Sequence, residues 1–154
     1  MLKSALLAGA SPINGPAGAA DNDQGFGRVN LDAVIAPPAP LKARFVDGAG
    51  LGTGAQADLA LDLDAGQPLK VVLAYSDYPG EALVNNLNLI VTGPEGMSHV
   101  GNAAGGANAF DSRNNIERVF VPAAAAGAWR VRVVASNVPQ GPQPYGLTVI
   151  GALR

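Results

Sequence analysis

The chain has 154 residues, of which 48% are apolar and 5% aromatic, with 20 Gly, 12 Pro, no Cys, one His and a net charge of −2. That many breakers exclude a long helical bundle, and so large an apolar share argues against wholesale disorder. Scattered cations argue against nucleic-acid binding, no apolar run approaches the ~18 residues of a membrane span, and the absent Cys excludes thiol catalysis, disulfides and thiolate zinc sites. A single His rules out a His-cluster metal site within one chain.

The first twenty residues begin like a secretory leader, with Lys3, an apolar stretch from Ala5 to Ala10 and the small-residue run Ala17-Gly18-Ala19-Ala20. The stretch falls short of the roughly 7–15 residues of a leader core, and Ser11-Pro12 ends it. A short helix over Leu2–Ala8 fits better, with Leu2, Leu6 and Ala10 on one side and Gly9 near its stop. Asn14-Gly15-Pro16 punctuates a turn-rich stretch. Asn30 is placed to cap a second short helix, Leu31–Ile35, which Pro37-Pro38 closes. Ala36–Pro40 reads as a stiff linker, so a boundary is expected there, dividing the chain into 1–40 and 41–154.

Beyond residue 40 the period changes to two. Ala43–Asp47 reads as a strand. In Ala57–Asp64, Leu59, Leu61 and Leu63 point one way and Asp58, Asp62 and Asp64 the other, the mark of a half-buried antiparallel strand. Leu69–Tyr75 is a near-continuous apolar run and is expected at the centre of a sheet. Leu83–Thr92 follows, with Leu87, Leu89 and Val91 alternating against Asn86, Asn88 and Ile90. Gly93-Pro94-Glu95-Gly96 turns it into Met97–Val100 as a hairpin. Ala103–Asn108 is a glycine-rich loop. Ile116–Val121, Ala128–Val134 and Tyr145–Ile150 supply three more strands. About eight short strands predict an all-β, antiparallel β-sandwich with a short helical N-terminal extension.

A search for chemistry returns mostly negatives. No Ser stands in a Gly-x-Ser-x-Gly elbow, and no spacing recommends a Ser/His/Asp set. Gly101–Gly106 lacks the Lys and the following helix of a phosphate cradle. His99 reads as a rim residue and Trp129 as core. Asp58, Asp62 and Asp64 read as a solvated face rather than an acid pair for glycoside cleavage. Three segments are rich in oxygen: Tyr75-Ser76-Asp77-Tyr78-Pro79-Gly80, Asn85-Asn86-Leu87-Asn88 and Asp111-Ser112-Arg113-Asn114-Asn115-Ile116-Glu117. Calcium gathers about six to eight such oxygens. The same residues also build Asx turns and satisfy loop backbone, so both readings stand on composition.

The residues from Leu69 to Gly80 (Leu-Lys-Val-Val-Leu-Ala-Tyr-Ser-Asp-Tyr-Pro-Gly), then Leu83-Val84-Asn85-Asn86-Leu87-Asn88-Leu89-Ile90-Val91, resemble the C-terminal β-sandwich of secreted subtilisin-like serine proteases. Asn114-Asn115-Ile116-Glu117-Arg118-Val119 and the stretch from Asn137 to Tyr145 match the same domain in the same order. The resemblance covers about residues 42–151. Residues 2–35 resemble the end of the catalytic domain: Leu2–Ala10 its late helix, and Gln24-Gly25-Phe26-Gly27-Arg28-Val29-Asn30 its closing "GxGxVN" element.

This resemblance implies a jelly-roll-like sandwich packed against a catalytic domain of the same parent polypeptide, used outside the cell, with bound calcium in several relatives. It transfers no catalysis, because the family's Asp, His and Ser lie upstream of the matched region and the Gly-Thr-Ser motif is absent. Relatives carry Asn-Asp-Leu-Asp where this chain has Asn85-Asn86-Leu87-Asn88, so two carboxylates have become amides and any divalent site is weakened. If calcium binds, Asp77, Asp111 and Glu117 are expected to hold it, with Asn86 or Asn88 assisting. The chain is then expected to be a non-catalytic accessory domain that stabilises or orients a secreted protease and contacts protein substrate. The alternative is an independent carbohydrate- or protein-binding sandwich. On the fragment reading, Leu2, Leu6, Leu7, Val34 and Ile35 need cover from the sandwich, from a second chain by self-association, or are disordered.

Overall fold

The computed structural model describes residues 1–15, 21–103 and 109–154. The small-residue run at 17–20, residues 104–108 of the glycine-rich loop, and with them half of Gly101–Gly106, lie outside the described residues. The strands are β1 (Lys42–Leu51), β2 (Gln56–Leu63), β3 (Leu69–Ala74), β4 (Asn86–Thr92), β5 (Ser98–Val100), β6 (Ile116–Val121), β7 (Gly127–Asn137) and β8 (Gln143–Gly151). They form two four-stranded sheets, ordered β1-β8-β3-β6 and β2-β7-β4-β5, with antiparallel neighbours throughout. The pairs β1·β8, β2·β7, β3·β6 and β4·β5 describe one long hairpin, folded at its Gly93–Gly96 tip and rolled up. That is a jelly roll, and the expected all-β sandwich is the fold.

Alternation fills the space between the sheets. Leu61, Leu63, Leu87, Leu89, Val91, Val131 and Val133 from one sheet meet Leu69, Val71, Leu73, Val119, Leu147 and Val149 from the other, all buried. Each such side chain contributes about 1.5–3 kcal/mol relative to exposure. Trp129 is core, as expected. Its indole Nε1 donates to the Ala125 carbonyl (2.9 Å). Gly93 leaves room for the ring, since a Cβ there would stand 3.1 Å from it. His99 closes this end by stacking on the indole at 6.3 Å between centroids.

A second apolar cluster lies on the outer face of the β1-β8-β3-β6 sheet. Helix α1 (Leu2–Gly9) covers it, and the single turn α2 (Asp32–Ile35) packs on α1. Ala8 and Val34 bury Val72 and Ile150, with Ala5, Leu7, Leu41, Ala43 and Ile116 around them. Ser4 Oγ lies 2.9 Å from Thr148 Oγ1, a buried pair linking helix to sheet. Gly9 is required here, because a Cβ would collide with Val34 Cγ2 and the Asn30 carbonyl. Asn30 Oδ1 accepts the Ala33 N–H (3.3 Å), although Leu31 occupies the N-cap position.

Two details differ from expectation. Helix α1 buries Ser4, Ala8 and Gly9, and Ala10 just past its end is buried too, while Leu2 is exposed and Leu6 half-buried, because a helix lying close on a sheet needs small residues beneath it. Tyr75 and Leu83–Asn85 are not strand. The Val84 and Asn85 N–H groups turn to the Asp77 carboxylate instead of a ladder partner, so β4 starts at Asn86.

The β6 and β2 edges are shielded, which discourages edge-to-edge pairing there. Asn102 (φ 57°) acts as a surrogate strand for β6. Its N–H donates to the Arg118 carbonyl (3.0 Å), its Oδ1 accepts the Arg118 N–H (3.0 Å) and its Nδ2 donates to the Ile116 carbonyl (2.7 Å). Along β2, Arg44 Nη1 donates to the Ala60 carbonyl (3.3 Å) and the Arg154 N–H to the Asp62 carbonyl (3.0 Å). Asp58 forms a bidentate pair with Arg132, and Asp62 and Asp64 both pair with Arg154, so these three form a solvated ion-paired face.

Candidate functional site

The oxygen-rich segments resolve into hydrogen-bonded networks. At the end of β3, Asp77 accepts the Val84 N–H (2.7 Å) and the Asn85 N–H (2.9 Å), closing a loop that displays Tyr78. Asn85 is buried and donates to Gln143 Oε1 (2.7 Å) and the Gln140 carbonyl (2.6 Å). Gln143, also buried, donates to the carbonyls of Ser76 (3.1 Å) and Pro144 (2.8 Å). The Tyr75 hydroxyl donates to the Asn85 carbonyl (2.9 Å) and accepts the Leu87 N–H (3.3 Å). Burial pushes that phenol up to about 12, so it stays neutral and acts as a latch.

A second network surrounds Glu117, which has no exposed surface. It reaches from β6 across to the other sheet, where its Oε2 accepts the Leu89 N–H of β4 (2.6 Å). Gly101 makes this possible, since a Cβ there would collide with the carboxyl. Burial pushes Glu117 up to about 8; the Leu89 N–H opposes that shift and the Asp111 charge adds to it. Asn88 gives its NH₂ to Asn86 Oδ1 (2.7 Å) and Ser136 Oγ (2.8 Å). The opposite end of its amide lies 3.0 Å from Glu117 Oε1. A protonated Glu117 satisfies that contact as donor, and the amide turned over would satisfy it by donating instead.

Asp111 accepts from Asn102 Nδ2 (2.8 Å), Asn114 Nδ2 (2.7 Å), the Arg113 N–H (2.8 Å) and the Asn114 N–H (3.2 Å). Burial works to raise its carboxyl, but these bonds outweigh it and hold Asp111 below the usual carboxylate range.

The five expected calcium ligands are therefore divided. Asp77 belongs to the Asn85 latch. Asp111, Glu117, Asn86 and Asn88 belong to the second network. Among the described residues no three of His, Cys, Asp and Glu come together where they could hold a metal ion. Calcium gathers oxygens turned toward one point; Asp77 and Asp111 turn theirs to N–H groups instead, and Asp77 lies in the other network, so the five expected ligands do not form one set. Sequence reasoning missed Tyr75, Asn85 and Gln143 as one unit, since nothing in their spacing signals a contact between distant loops.

The other candidate is the outward side of the extension. Ser11 and Arg28 exchange two backbone bonds (2.9 and 2.8 Å), pinning the Gln24–Asn30 motif to the end of α1. Gly27 (φ 95°) is essential there, because a Cβ would collide with the Ser11 carbonyl. The Arg118 guanidinium stacks over Phe26 at 5.2 Å, tying this turn to β6. The inner side thus belongs to the sandwich, with Leu7 and Val34 in the second cluster. The outer side leaves Leu2 (72% exposed), Ile13, Val29, Leu31 and Ile35 (77%) in water. Of the residues expected to need cover, Leu7 and Val34 receive it from the sandwich, Leu6 is half-buried, and Leu2 and Ile35 stay exposed.

No family model matches the chain, and no curated protein matches it in sequence. Solved structures include several β-rich likenesses. It is similar to the CBM35 module of Abf62 from Cellvibrio japonicus (17% identity, TM-score 0.41, covering 89% of this chain and 85% of that one). It is similar to PliG of Aeromonas hydrophila, a periplasmic inhibitor of g-type lysozyme (19%, TM-score 0.37, 71% and 82%). A protein from Sulfurospirillum deleyianum is also similar (5%, TM-score 0.42, 70% and 96%).

Proposed function

We propose that this jelly roll is a non-catalytic accessory domain of a secreted subtilisin-like serine endopeptidase, held to the catalytic domain of the same parent polypeptide through the exposed Leu2, Ile13, Val29, Leu31 and Ile35. The observation that carries the reading is the two-sided extension. Its inner side is built into the sandwich by Ala8, Val34 and the Ser4–Thr148 pair. Its outer side presents Leu2, Val29, Leu31 and Ile35 to solvent, an arrangement that costs a free module solubility. The assignment of the partner rests on the resemblance of the Gln24–Asn30 and Leu69–Val91 residues to that family. On this reading the domain stabilises or orients the protease outside the cell and takes no part in bond cleavage.

The nucleotide sequence upstream of the Met1 codon tests it. An in-frame subtilisin-like catalytic domain is the expected finding, and an unrelated or absent reading frame overturns the assignment. The competing reading, an independent binding module, is favoured by Tyr78, an exposed aromatic on a loop that Asp77 holds rigid. Saturable binding on a glycan array, lost with Tyr78→Ala, would support that reading instead.

A further inference from the structure

We propose that Asn14 is a site of spontaneous deamidation and that the side chain of Gln24 sets its rate. Asn14-Gly15 is the sole Asn-Gly pair in the sequence. Both residues are exposed, and among the described residues no atom lies within 4 Å of the position a Gly15 Cβ would take. Glycine shields its own amide nitrogen least, so that nitrogen is free to approach the neighbouring side chain. In the reaction the Gly15 nitrogen attacks Asn14 Cγ. The new C–N bond closes a five-membered imide, the Cγ–Nδ2 bond breaks and ammonia leaves. Water then opens either imide carbonyl and gives aspartate or isoaspartate. No oxidant or cofactor is required, and the change is a covalent gain of charge.

The approach of the Gly15 nitrogen to Asn14 Cγ is governed by rotation about Asn14 Cα–C, which swings its carbonyl. Gln24 opposes that rotation. Its Nε2 donates to the Asn14 carbonyl (2.8 Å), and its Oε1 accepts the N–H groups of Ile13 (2.6 Å) and Asn14 (3.1 Å). Nε2 also donates to Asp21 Oδ2 (2.7 Å), which anchors the amide in place. The buried Asn85 and Asn88 lack both the glycine neighbour and the access. The product places a carboxylate beside the exposed Ile13.

The test is peptide mapping of the full chain by mass spectrometry during incubation at mildly alkaline pH. The expected result is a gain of one mass unit at position 14 ahead of every other Asn, absent in Asn14→Gln. Gln24→Ala removes the clamp. Gln24→Glu keeps acceptors for the Ile13 and Asn14 N–H groups but cannot donate to the Asn14 carbonyl. Both are expected to accelerate conversion several-fold, with the melting of the sandwich followed in parallel to show that the fold persists. Conversion at another Asn first, or a Gln24 variant no faster than wild type, overturns the proposal.

Discussion

Glu117 is the residue whose environment departs furthest from water. Its carboxyl keeps its proton up to about 8 in the folded chain, against an ordinary 4.5. Between these values the unfolded chain binds fewer protons than the native one, so stability falls as pH rises from about 4.5 to 8 and levels off above. Asp111 acts in the opposite sense, but only toward acid, where its lowered carboxyl finally protonates. Urea midpoints from pH 5 to 9 are expected to show wild type losing on the order of 1–4 kcal/mol. Glu117→Gln, a neutral mimic that still accepts the Leu89 N–H, is expected to flatten the profile. Parallel profiles for the two proteins would contradict this. Glu117 was legible in sequence as an acid in an oxygen-rich run, but not as a buried one. Its partner Leu89 lies on a strand of the opposite sheet, and alternation says nothing about which inward position receives a carboxyl.

The elements were legible where one face is apolar and the other polar. β2 shows this best: Leu61 and Leu63 are buried while Asp58 and Asp62 are exposed, as their alternation required. Legibility fails where a side chain competes for backbone N–H groups, as Asp77 does at Val84 and Asn85. It is partial for α1, where of the residues read on one side Ala10 is buried but Leu2 is exposed. Tight docking on a sheet selects Ser4, Ala8 and Gly9. The docking itself is open to test. Val34→Asp would place a charge among Ala8, Val72 and Ile150, at a cost of about 2–5 kcal/mol to the extension's attachment. Hydrogen exchange of α1 amides is expected to speed up by orders of magnitude while β3 and β8 remain protected. Unchanged protection of residues 2–9 would show that the helix does not depend on this contact.

At the scale of the whole molecule, breakers and period-two strands gave a sandwich, and the pairing of first strand with last supplies its closure. The pairing is not written in any local pattern. It follows from rolling one hairpin so that both apolar faces meet. The oxygen-rich loops at its ends serve that closure through Asn85, Gln143 and Asn102. Millimolar calcium is accordingly expected to move the melting temperature by less than about 3 °C, and a rise of tens of degrees would contradict the assignment of these oxygens to N–H partners. The roll leaves Leu2, Leu31 and Ile35 of the extension uncovered. Calorimetric titration of the chain into a separately expressed catalytic domain of the proposed parent protease is the direct test of the proposed attachment. The account predicts a saturable one-to-one complex, abolished by Ile35→Asp without change in the chain's own melting. Absence of a complex, or one indifferent to Ile35→Asp and Leu31→Asp, would contradict it.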